Sequence, residues 1–87
     1  MPKSTHTNDY ALLRKLLIQT RRSAGLSQRD LGERLGLSHT WISKIETGER
    51  RIDLIEFKWF CEACNADPAS LANRILASSK GGPGGKL

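Results

Sequence analysis

Residues 28–47 read QRDLGERLGLSHTWISKIET, and their spacing decides the fold. Leu31, Leu35, Leu37, Ile42 and Ile45 are apolar at the places where two short helices would lock together. Gly32 is small where those helices cross closely, and Gly36 supplies a turn in which a positive φ is cheap only for glycine. Ser38 suits the N-cap of the second helix, which runs to about Glu46 with Gly48 past its end. Two helices joined in this way define a helix-turn-helix, whose second helix lies in the major groove of DNA.

The flanking sequence extends the same pattern. Upstream, Leu13, Leu16, Leu17, Thr20 and Ala24 recur at three- and four-residue spacing, which places them on one helical face. Asp9 is the expected N-cap and Gly25 the expected stop. Ser27 and Asp30 have the spacing of a capping box, with Asp in place of the usual Glu or Gln. Downstream, residues 49–52 form a loop carrying Arg50 and Arg51. Asp53 and Glu56 make a second capping box ahead of Leu54, Phe57, Phe60, Cys61 and Cys64, and Asn65 suits a C-cap. Asp67 followed by Pro68 opens a last helix with Leu71, Ile75 and Leu76 on its apolar edge. The expectation is an all-α domain of five helices over residues 9–77. Residues 1–8 form a flexible arm, and the Ser-, Gly-, Lys- and Pro-rich residues 78–87 a flexible tail.

Composition narrows the function. The 87 residues suit one small domain, and 38% apolar content allows one modest core that dimerisation would help. Fourteen Lys and Arg against nine Asp and Glu give a net charge of +5, which favours a polyanionic partner. No apolar run approaches the roughly 18 residues of a membrane span, and no secretory leader follows Met1. Two cysteines cannot build a disulfide framework, so the chain reads as cytosolic and reduced. No Gly-rich phosphate loop and no nucleophile–base set is present, so an enzyme is not expected, nor any cofactor.

The segments Gly25-Leu26-Ser27-Gln28, Gly36-Leu37-Ser38, Ile42-Ser43-Lys44-Ile45-Glu46 and Gly48-Glu49-Arg50-Arg51 resemble the lambda repressor and Cro-like helix-turn-helix family, also called the xenobiotic-response-element family. The resemblance spans about residues 13–76. It implies a sequence-specific binder of double-stranded DNA from a bacterium or phage, mostly a repressor, acting as a homodimer on a near-palindromic operator. An antitoxin or other protein-interaction module of a regulatory pair is the alternative from a different class.

At about 100° per residue, His39, Thr40, Ser43, Lys44 and Thr47 share one arc of the second motif helix, opposite Ile42 and Ile45. The first residues of such a helix come closest to base edges, so His39, Thr40 and Lys44 are the candidate base readers. Gln28 starts the first motif helix, where free N–H groups favour an anion. In the resemblance it matches a glutamine that contacts the DNA backbone and braces a recognition-helix side chain. Ser38, Ser43, Thr47, Arg50 and Arg51 are expected at phosphates. The sequence leaves open which of the two arginines faces DNA.

Other residues have quieter readings. Arg21 and Glu46 could be a DNA contact and a solvated acid, but they match a family pair that bonds the first helix to the end of the recognition helix, so a structural role is expected. Trp41 either packs between helices or touches DNA. Trp59 lies off the apolar face of its helix and is exposed, folded over the surface or in a dimer contact. Cys61 and Cys64 have C-x-x-C spacing but lack the partners of a zinc site, so no metal is expected and they read as buried structural residues, with a redox switch as the alternative. Leu71, Ile75 and Leu76 are the candidate dimer surface.

Overall fold

The computed structural model describes residues 7–77. Five helices follow one another: α1 (Asn8–Ser23), α2 (Gln28–Leu35), α3 (His39–Thr47), α4 (Leu54–Ala63) and α5 (Pro68–Leu76). No strand occurs among the described residues, and no helix there is long and apolar enough to cross a membrane. The fold is all-α.

Local chemistry sets the helix ends. Ser27 accepts from the Asp30 N–H while Asp30 accepts from the Ser27 N–H, both at 3.0 Å, which closes the capping box of α2. Asp53 and Glu56 close the same box on α4 at 2.8 and 3.0 Å. The cap of α1 differs from expectation. Thr7, not Asp9, accepts from the Tyr10 N–H, so the helix starts at Asn8, inside the stretch expected as an arm. Asp9 falls in the first turn instead, where its charge suits the helix dipole. Asn65 takes φ 57° one residue after the Cys64 cap of α4. The remainder of the expected arm and the whole of the expected tail, residues 78–87, lie outside the described residues.

α2 and α3 pack together, α1 lies against α3, α4 and α5, and α4 joins α2 to α5. The core these contacts enclose contains Leu16, Leu17, Leu31, Ile42, Ile45, Phe60 and Cys61, each at most 2% exposed. Gly36 turns the chain at φ 69°. Gly32 matters for a different reason, because a Cβ there would stand 2.6 Å from the Leu37 carbonyl oxygen. The turn backbone therefore rests directly on α2, with the Leu37 N–H donating to the Gly32 carbonyl at 2.8 Å. This contact fixes where α3 begins.

Three apolar residues depart from their expected places. Leu37 is half exposed at the rim of the turn rather than locked between helices, because the backbone of that turn occupies the close approach over Gly32. Leu54 is exposed, since the first position of α4 projects beyond the core. Leu71 is buried, so it belongs to the core and not to a free dimer surface. Ile75 is partly buried, and Leu76 is 83% exposed.

Candidate nucleic-acid interface

α3 is divided lengthwise by its own periodicity. Ile42, Ile45 and Glu46 are buried. His39, Thr40, Lys44 and Thr47 are exposed and Ser43 is partly exposed, so the five share the solvent side of the helix. Ser38 caps the helix by accepting from the Trp41 N–H at 3.3 Å and is itself exposed. A helix with a bonded inner face and a row of short polar side chains plus one lysine outside has the shape and donor set for a major groove.

Glu46 fixes the orientation of that helix. Arg21 Nε donates to its Oε2 at 2.6 Å and Arg21 Nη2 to its Oε1 at 2.9 Å, a two-pronged pair with both side chains under 10% exposed. The third arm of Arg21, Nη1, donates to the Leu26 carbonyl at 2.7 Å. The bond to Glu46 holds the guanidinium pKa above its ordinary value. Gln28 completes the cluster, its Nε2 donating to Glu46 Oε1 at 3.0 Å. α1, the start of α2 and the end of α3 thus meet at one carboxylate. Gln28 remains partly exposed at the α2 N-terminus, with its amide turned toward Glu46.

The loop after α3 separates its two arginines. Arg50 donates through Nη1 and Nη2 to the two carboxylate oxygens of Glu56, at 3.0 and 2.8 Å, and through Nη1 to the Arg51 carbonyl at 2.9 Å. Its guanidinium also lies 5.2 Å from the centre of the Trp41 ring, a cation–π distance. Arg50 keeps the Glu56 carboxyl below its ordinary pKa, and Trp41 packs on the core beneath it. Arg51 is exposed, and no ion pair engages it among the described residues.

Two residues of α1 that sequence reasoning passed over hold this loop. The Tyr10 hydroxyl accepts from the Ile52 N–H at 2.7 Å. Arg14 Nη1 donates to the Thr47 carbonyl at 3.4 Å and packs over Gly48. Their contacts span 42 and 33 residues, and local spacing carries no signal of that range.

A family model described as a helix-turn-helix domain matches residues 12–73. Among solved structures, an XRE-family like protein from Pseudomonas syringae pv. tomato is similar, with 39% identity and a TM-score of 0.79 over 83% of this chain and 88% of that one. The chain belongs to the Cro and lambda-repressor-like helix-turn-helix family. No curated protein matches it.

As a member of this helix-turn-helix family, the chain is a DNA-binding regulator. Its helix-turn-helix unit is α2, the Gly36 turn and α3, and the family match extends through the packing helices on both sides. Outside that unit, Cys61 and Cys64 are buried and unpaired. Burial pushes the Cys61 thiol up to about 11 and raises that of Cys64, so both stay protonated near neutral pH. Among the described residues no three His, Cys, Asp or Glu side chains converge on a metal position. Trp59 is 48% exposed and lines a shallow cleft with Leu35, Leu37 and Ala63 between α2 and α4.

Proposed function

We propose that this protein represses transcription as a homodimer that reads a near-palindromic operator, each copy laying α3 in a major groove. The observation that carries the reading is the division of α3 into a buried, ion-paired side and a polar side open along its length. His39, Thr40 and Lys44 read base edges. Lys44 donates to guanine O6 or N7, and the Thr40 methyl meets a thymine methyl. Gln28, Ser38, Ser43 and Thr47 contact phosphates. Arg51 joins them, while Arg50, held by Glu56 and Trp41, braces the loop from behind.

Dimerisation uses the apolar groove lined by Leu13, Ile52, Leu54, Phe57, Ile75 and Leu76. Leu54 and Leu76 are its exposed ends, at 76% and 83%. Two α3 helices then enter successive grooves about 34 Å apart. Selection of bound sites from random duplex DNA, run at two salt concentrations, tests the reading. It predicts two inverted half-sites with centres about ten base pairs apart and affinity that falls steeply with salt. Enrichment of no sequence, or of a single unrepeated half-site, contradicts it.

A further inference from the structure

α1 carries a second polar surface, on which Lys15 and Arg22 have no role above. Arg14, Lys15, Ile18 and Arg22 line an open cleft whose other wall is Glu46 and Thr47 of α3. Lys15 and Arg22 are solvent-accessible, and neither takes part in an ion pair among the described residues. Among the described residues lining the cleft the only acid is Glu46, whose carboxylate is already bonded by Arg21 and Gln28. By helical geometry Asp9 falls about 140° around α1 from Arg22, away from the cleft. The cleft therefore presents uncompensated positive charge, and it borders Thr47, the last residue of the polar arc of α3.

We infer that the α1 cleft is a second DNA-backbone site, in which Lys15 and Arg22 bind phosphates of the duplex just outside the base pairs read by α3. This rests on the proposed function above. A strand that leaves the groove at the end of α3 passes Thr47 and meets this row of cations. From Arg14 to Arg22 the row extends about 12 Å at 1.5 Å per residue. Phosphates on one strand advance about 3.4 Å per base pair, so the row covers roughly three of them. Neither side chain supports the core, so both are free to serve the strand. The contact carries no base information. Its consequence is that the bound duplex must be longer than the recognised sequence.

The test uses the full chain and the duplex most enriched in site selection, cut to the recognised base pairs or extended by six at each end. For the native protein the longer duplex binds several-fold tighter. The slope of log affinity against log salt is steeper on it than on the short one. The double variant Lys15→Gln, Arg22→Gln loses that gain, and its slope on the long duplex becomes shallower by about two. Its base preference and melting temperature stay native. Arg74→Gln, which removes an exposed cation on α5, leaves the slope and the length effect intact and separates the cleft from general charge. The inference is overturned if the native protein gains nothing from the flanks, or if the double variant keeps the native slope. Binding of polyglutamate that the double variant loses while its DNA slope stays native would assign the cleft to an acidic protein and also overturn it. Failure of the native protein to prefer any duplex sequence would instead remove the operator reading itself.

Discussion

Arg21, Glu46 and Gln28 show how a few side chains fix a surface they need not touch. Glu46 is buried on α3 with three donors on its two oxygens, so removing one partner leaves charge without compensation. Arg21→Ala is expected to destabilise the fold by about 3–5 kcal/mol, the range for breaking a buried pair from one side, as read by urea unfolding. A loss under about 1 kcal/mol would mean that the pair acts as a solvated surface contact. Arg50 and Arg51 are neighbours with opposite environments, one bonded to Glu56 and stacked on Trp41, the other open. Arg51→Ala should reduce the salt slope of DNA binding by about one and keep base preference. Arg50→Ala should instead lower the melting temperature and leave the salt slope near native. Equal effects of the two on slope and melting would show that the loop does not sort them.

At the scale of helices and loops, much of the architecture was legible. The capping boxes at Ser27 and Asp53, Pro68 after Asp67 and the Gly36 turn act within four residues, so their spacing predicts the helix ends directly. The division of α3 followed from its period in the same way. Three features did not. Thr7 displaced Asp9 as a cap because either side chain can serve and only the backbone path chooses. Leu37, Leu54 and Leu71 show that an apolar residue at a helix edge is assigned to core or surface by neighbouring helices, which one period cannot anticipate. The hold of Tyr10 and Arg14 on the loop spans 42 and 33 residues, beyond any local pattern. That hold gives a direct expectation. Tyr10→Phe leaves the partly buried Ile52 N–H without its acceptor, at about 1–3 kcal/mol of stability. It should weaken binding equally for all DNA sequences, measured by titration against selected and unrelated duplexes. A change in base preference would place Tyr10 in the reading of sequence rather than behind the loop.

Over the whole molecule, the cationic cleft and the apolar groove share no lining residue, and their proposed partners differ. α3, the loop after it and the outer side of α1 supply the proposed DNA side, while α4 and α5 with Leu13 and Ile52 line the groove proposed for a second copy. Because Leu54 and Leu76 are exposed in the single chain, the pair Leu54→Lys, Leu76→Lys should leave its melting largely unchanged. Sedimentation at tens of micromolar should then show monomers where the native protein forms dimers, and DNA binding should become non-cooperative. A native protein that sediments as a monomer and binds DNA without self-association would contradict the dimer. The central claim is that the open side of α3 enters the major groove, and 7-deazapurine substitution tests it most directly, because it deletes one major-groove acceptor and leaves the minor groove alone. In the selected site, replacing purines one at a time should weaken native binding at a few positions. At one of them the loss, about 1–3 kcal/mol, should vanish in Lys44→Ala. Native binding indifferent to every such replacement would contradict the claim.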